Sequence, residues 1–213
     1  MKKIIVNSLR SLCIFALVLG LAAPCLAQSP AQARQTLETA VNRILDAIRN
    51  PDYVNPNTRA PLRRQIEDEV YHIFDFGEFS SRTVGPRWRS FSAEQKKAFS
   101  DAFADLLLNT YLNKITGYNG ETVAYTGETV SPDGDKVEVR TVITMKDGKK
   151  TPVNYRMLYK DGSWRVYDVI IENISLVKNY RTQFQDILNS ASPEELTARV
   201  SAKAREVAAQ KAQ

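Results

Sequence analysis

Few side chains in this chain are of the kinds that do chemistry. His72 is the only histidine among 213 residues. A Ser-His-Asp triad or an imidazole metal cluster would have to rely on it alone. It sits between Tyr71 and Ile73 in a helical pattern, where a structural or surface role is the ordinary one. There is no phosphate-cradling glycine loop, no Gly-x-Gly-x-x-Gly, no His-Glu-x-x-His and no Gly-x-Ser-x-Gly. No metal, cofactor or catalytic set is therefore expected.

Asp168 is the carboxylate that stands out. In the run WRVYDVII it alternates with Val166 and Ile170, which sets a charge among apolar neighbours and demands a partner. Arg181, in the following segment, and Arg156, in the preceding one, are the candidates. Two readings stand side by side. Asp168 could be the general base of a closed cavity, or a structural ion pair or cap where a strand turns into a helix. No second catalytic group accompanies it, which favours the structural reading.

Aromatic groups are plentiful, among them Phe99, Phe103, Tyr111, Tyr155, Trp164, Tyr180 and Phe184. A packed core is their usual destination, and the lining of a ligand cavity is the alternative. Which of the two holds depends on the elements that carry them.

The segment from Trp164 to Phe184 organises those elements. Trp164, Val166, Asp168 and Ile170 alternate with Arg165, Tyr167, Val169 and Ile171, a strand with apolar groups on both faces. Around Asn173 to Ser175 the period changes to Leu176, Tyr180, Phe184, Ile187 and Leu188, one face of a helix. Upstream, three Asp-Gly pairs at 133–134, 147–148 and 161–162 recur every 14 residues between runs rich in Val, Ile, Thr and Tyr. Each is a tight hairpin signal, so four antiparallel strands are predicted over about 121–131, 135–146, 150–160 and 163–172.

Helices flank this meander. One is expected over 30–49, with Leu37, Val41, Ile44, Leu45 and Ile48 on one face, and a second over 59–74. A short one covers Glu78 to Val84. A long one starts at the capping box Ser92/Gln95, carries Phe99, Phe103, Leu106, Leu107, Tyr111 and Ile115, and ends at Gly117. Ser192-Pro193-Glu194-Glu195 opens a last helix whose tail, AREVAAQKAQ, is expected to fray. The order predicts an α+β domain, a curled antiparallel sheet of four or slightly more strands with helices over its concave face. That is a cone of the nuclear-transport-factor-like kind, open at one end.

The first residues read as a leader. Lys2, Lys3 and Arg10 precede an apolar run from Leu12 to Leu21, and Cys25-Leu26-Ala27 ends in a small-x-small cleavage pattern. Cleavage after Ala27 would leave 28–213 as one domain, helical over about 28–118 and 175–213 with its sheet over about 121–172. Both cysteines, Cys13 and Cys25, would leave with 1–27, so no disulfide or thiolate site is expected. Three basic residues would leave too, and most of the formal charge of +5 with them. What remains is too mild to argue for nucleic acid.

The blocks FDFGEFSSRTVGPRW, FSAEQKKAFSDAFADLLLNTY and VNYRMLYKDGSWRVYDVIIENISLVKNYRTQF resemble, in order, the MlaC family of periplasmic phospholipid-binding, or toluene-tolerance auxiliary, proteins. The likeness spans about 30–200. Its most specific part holds Trp164, Tyr167, Asp168, Ser175-Leu176 and Tyr180-Arg181-x-x-Phe184. Gly77 is the looser feature, standing where a helix former is expected.

The resemblance implies a soluble carrier, most simply a monomer, in the Gram-negative periplasm. It would pass glycerophospholipid between an outer-membrane lipoprotein-porin complex and an inner-membrane ABC transporter with a lipid-binding ring protein, and so maintain outer-membrane lipid asymmetry. It implies no enzyme and no cofactor, the lipid being cargo. Phe103, Leu107, Tyr111, Val142, Tyr155, Met157, Val169, Ile171 and Tyr180 are the expected lining of the lipid cavity, and Asp168 with Arg181 a structural polar corner. The rivals are a cone-fold small-molecule enzyme using Asp168 as base and a periplasmic adaptor with a filled core.

Overall fold

The computed structural model describes residues 29–112 and 120–210. The leader over 1–27, and the end of the long helix at Ile115 and Gly117, lie outside them. Six helices are described: α1 (Pro30–Arg49), α2 (Arg59–Ile73), α3 (Phe76–Val84), α4 (Ala93–Leu107), α5 (Leu176–Leu188) and α6 (Pro193–Ala209). Between α4 and β1, Leu108–Leu112 form a π-helical turn. The strands are β1 (Thr122–Val130), β2 (Lys136–Thr144), β3 (Lys150–Lys160), β4 (Ser163–Ile171) and the two-residue β5 (Ile174–Ser175).

Short polar side chains start the helices by satisfying free amides of the first turn. Ser29 caps α1 ahead of Pro30, Asp75 caps α3, Ser175 caps α5 and Ser192 caps α6. At α4 both halves of the expected capping box form, Gln95 N donating to Ser92 Oγ and Ser92 N to Gln95 Oε1. Residues 211–213 lie outside the described residues, and of the tail expected to fray the part up to Ala209 is helical as the end of α6. Its Ala204 is buried, and Asn109 Nδ2 donates to the Ala204 carbonyl at 3.3 Å. Packing against α4 replaces the solvent that would have melted the tail.

The sheet runs in the order β1-β2-β3-β4-β5, every neighbouring pair antiparallel. Its tightest turn is Asp161-Gly162, both at positive φ (50° and 81°), between the paired Lys160 and Ser163. That is the geometry a two-residue hairpin needs. Two bulges shape it. In β1 the register shifts between Tyr125 and Gly127. Gly127 has φ 147°, and a Cβ there would meet Arg140 Nη2 at 2.6 Å.

The second bulge corrects the sequence reading. Met157 pairs with Val166 and Arg156 with Asp168, so Tyr167 is the extra residue of β4 and has no opposite number in β3. Simple alternation fails at that point. Trp164 and Val166 share the core face with Val169 and Ile171, while Asp168 and Ile170 lie on the other. One inserted residue reverses every assignment after it.

The main core lies between the concave face of the sheet and the helices. Phe103 is its hub, with ring centroids 4.9–5.9 Å from Tyr180, Phe184, Phe79 and Phe99. A smaller core of Ala47, Ile48, Tyr53 and Ile66 fixes α1 to α2. The joint between α2 and α3 is pinned to the sheet, Asp75 N donating to the Val166 carbonyl at 2.9 Å.

Candidate functional site

Burial on the concave face changes along the strands. At the end nearest the Asp161-Gly162 turn, Val137, Val139, Met157, Trp164 and Val166 are all 3 % exposed or less, covered by helices. Toward the other end Val123, Tyr125, Ile143, Tyr155 and Ile171 remain half-buried, although all share the face that is covered elsewhere. The Asp161 end of the cone is thus closed and packed. The far end forms an apolar recess only around these partly accessible side chains, since Thr141 and Val153, in the same row as Tyr125 and Ile171, are buried.

Tyr155 marks the depth of this recess. Desolvation by the surrounding protein pushes its hydroxyl up to about 12. The residue as a whole nevertheless keeps some accessible surface. Tyr125 also lies there, raised by burial, by Tyr155 and by Glu38, with Arg34 partly opposing the shift. Its hydroxyl is buried with no hydrogen-bond partner among the described residues, and the Arg34 guanidinium lies 5.3 Å from the ring centroid. On the helical side Tyr111 and Tyr180 share a hydrogen bond, and burial raises both hydroxyls.

Eight of the nine residues expected to line a cavity gather on this interior. Phe103, Leu107, Met157, Val169 and Tyr180 are buried in the core between sheet and helices, and Tyr111, Tyr155 and Ile171 are half-buried against it. Phe103 and Met157, at 0 % exposure, are packed rather than bordering a space. Val142 is the exception. Val137, Val139, Thr141 and Ile143 make up the concave series of β2, so Val142 faces outward with Glu138 and Arg140, opposite Ala124 and Pro152. The polar Thr141, whose hydroxyl donates to the Val153 carbonyl, hides the alternation that would have chosen Ile143 instead. Tyr125 and Ile143 are recess residues missed from sequence; β2 parity read from Val137 and Val139 is the signal that finds Ile143, and Tyr125 follows only from the pairing of β1 with β2.

Asp168 is on the opposite face of the sheet from the recess. It is 1 % exposed and accepts from Ser175 Oγ at 2.7 Å, the Val177 amide at 3.0 Å and Arg156 Nη1 at 3.3 Å. These contacts tie β4 to the start of α5 and leave the carboxylate no route to a molecule on the concave side. Arg181 is not its partner. Its Nε donates to the Arg82 carbonyl at 2.7 Å, joining α5 to α3, because the bulge at Tyr167 turns Asp168 toward Arg156. Arg82 itself covers the Tyr167 ring, 4.1 Å from its centroid.

His72 is exposed in the last turn of α2, and its backbone carbonyl accepts from Arg165. Among the described residues no group of three His, Cys, Asp or Glu is placed to hold a metal ion. Two outer grooves, of about 390 and 480 Å³, flank the closed end of the sheet. They are lined by mixed polar and aromatic groups and include none of the recess residues.

A curled, unclosed antiparallel sheet of five strands with six helices, its concave apolar side chains fully covered at one end and partly accessible at the other, defines an α+β fold. The chain belongs to the MlaC family, whose model, described as MlaC protein, matches residues 38–202. It is 29 % identical over 163 residues to the toluene tolerance protein ttg2D of Pseudomonas putida, covering 76 % of this chain and 74 % of that protein. It is 24 % identical over 131 residues to the intermembrane phospholipid transport system binding protein MlaC of Haemophilus influenzae, covering 60 % of this chain and 61 % of that protein. Among solved structures, the phospholipid-binding protein from Ralstonia solanacearum, in complex with a phospholipid, superposes with a TM-score of 0.75. That match covers 83 % of this chain and 99 % of the other at 24 % identity, and it establishes the shared fold. Among the described residues no helix is long and apolar enough to cross a membrane.

Proposed function

We propose that this protein is a periplasmic carrier of glycerophospholipid, exported by a leader cleaved after Ala27. It would receive and deliver lipid at an outer-membrane lipoprotein-porin complex and an inner-membrane ABC transporter, and so maintain the asymmetry of the outer membrane. The observation that supports the reading is the set of apolar side chains at one end of the concave face, Tyr125, Ile143, Tyr155 and Ile171, that the fold leaves partly accessible. The names of the family relatives, and the phospholipid in the Ralstonia protein of the same fold, support it.

The physical task fits such a recess. Each methylene exposed to water costs about 0.8 kcal/mol, so two acyl chains of roughly 30 methylenes represent on the order of 24 kcal/mol to be sheltered in crossing an aqueous space. The phosphate stays at the mouth in water, because burying it would cost more than it gains. Headgroup discrimination is accordingly weak. The carrier cycle breaks no bond and needs no cofactor.

Organic extraction and mass spectrometry of the purified protein test this directly. Diacyl phospholipid near one per chain is expected. A protein that comes lipid-free and takes up none from vesicles overturns the reading.

A further inference from the structure

The recess holds one polar atom that a purely apolar lining would not need. The Tyr125 hydroxyl is buried and has no hydrogen-bond partner among the described residues. Tyr111 and Tyr180, on the helical side, differ in that their hydroxyls bond to each other. Arg34 lies over the Tyr125 ring, but its guanidinium is directed at carboxylates, Glu128 Oε1 at 3.4 Å and Glu38 Oε2 at 3.8 Å. It offers no acceptor, so it packs on the ring without serving the hydroxyl. Burial, Tyr155 and Glu38 hold that hydroxyl well above its ordinary range, which leaves it a neutral O–H donor at physiological pH. A buried donor with nothing to bond destabilises the fold until a partner arrives.

We infer that the Tyr125 hydroxyl donates to an ester carbonyl of the cargo, so that the recess selects lipids whose chains are joined to glycerol as esters. The inference rests on the carrier reading and names the chemical class that its site takes. A glycerophospholipid bears acceptor oxygens at two levels only, the phosphate and headgroup, which stay in water, and the two ester groups where the chains begin. The chains below have none. A donor buried among apolar side chains is therefore met by such a molecule only at its esters. The depth agrees with this. Tyr125 stands three residues in from Thr122, which pairs with Thr144 at the accessible end of the sheet, roughly 10 Å along the strand. A glycerol backbone reaches that far with its phosphate still at the mouth. A site that hydrogen-bonds one group of its ligand discriminates against the analogue lacking it, because the buried partner is then left unpaired. A held water, or a bond to Glu38 after rotation, would instead leave the hydroxyl indifferent to how the chains are linked.

The test is a competition between two lipids. Purified protein is loaded from vesicles holding equal amounts of diester and diether phosphatidylcholine of one chain length, and mass spectrometry counts both in the recovered protein. The diester-to-diether ratio in the parent is expected to be about fivefold that in Tyr125→Phe, the worth of one neutral hydrogen bond. Any difference in how readily the two lipids leave the bilayer is common to both proteins and cancels in that comparison. Lipid-free Tyr125→Phe should unfold at a denaturant midpoint no lower than the parent's, because it loses an unpaired group and keeps the ring. Equal ratios in the two proteins overturn the inference and leave the carrier reading in place. A lower midpoint for Tyr125→Phe does the same, since it gives the hydroxyl a partner in its own chain or in a held water. A parent that takes up neither lipid defeats the carrier reading, and the ester assignment falls with it.

Discussion

Arg156 and Asp168 face each other across β3 and β4, 3.3 Å apart, on the side of the sheet turned away from the recess. The carboxylate is almost completely buried, whereas the guanidinium is about one-third exposed and also holds Glu138 at 3.0 Å. Asp168 is thus a tie between sheet and helix rather than a reactive group. Asp168→Asn is expected to cost about 2 kcal/mol, below the range for fully buried pairs because Arg156 keeps its solvent and its second partner. Denaturant unfolding measures that loss. Lipid per folded chain should not change, and a turnover-like dependence on this residue would contradict the placement.

The recess makes a prediction of opposite character. Ile143→Trp or Ile171→Trp fills space that a cargo would occupy, and roughly tenfold lower lipid retention is expected for the 1–3 kcal/mol that overpacking typically costs. Val142→Trp, one residue along but on the outer face, should leave retention unchanged. Lipid extraction from the three variants, side by side, decides whether the concave assignment of β2 is right.

At the packed end the effect falls on stability. Phe103 is fully buried at the centre of the aromatic cluster, and Phe103→Ala is expected to cost about 4 kcal/mol. An unfolding midpoint close to that of the parent would mean that the helices already leave space around this ring.

Tyr155 gives the stability a pH dependence. Its hydroxyl sits near 10.0 when unfolded and is pushed up to about 12 in the fold by desolvation. The folded chain therefore keeps a proton that the unfolded chain has lost between those limits. Its contribution is fully present below about pH 10 and declines by roughly 1.4 kcal/mol per pH unit until about pH 12. Tyr155→Phe should flatten this slope in alkaline unfolding curves, and an unaltered slope would place the hydroxyl in water.

Much of this architecture was legible because local chemistry marks it. Ser29, Ser92 and Ser192 announce their helices, and the Asp-Gly pairs announce the hairpins. The α4 and α5 aromatics followed from helical spacing, and Phe103 with Tyr180 meets as that spacing requires. What failed was parity in the sheet. The bulge at Tyr167 has no signature in VYDVII, where apolar groups stand on both faces around Asp168, and Thr141 interrupts the apolar series that would have separated Val142 from Ile143. Arg181 was a reasonable partner for Asp168 by sequence distance. Its actual contact, the Arg82 carbonyl 99 residues away, depends on how α3 packs against α5. Long-range contacts of this kind carry no local mark.

The irregularity in β1 has a bearing on how the molecule behaves in company. A sheet that does not close leaves a border strand whose free amides and carbonyls invite a neighbour to join, the usual opening for fibril growth. At Gly127 that border is broken, and the Arg140 side chain lies over the gap and reaches Thr129. A second molecule attempting to extend the sheet would meet a kinked ribbon and a cation. The break at Gly127 thus works against edge-to-edge association of the molecules.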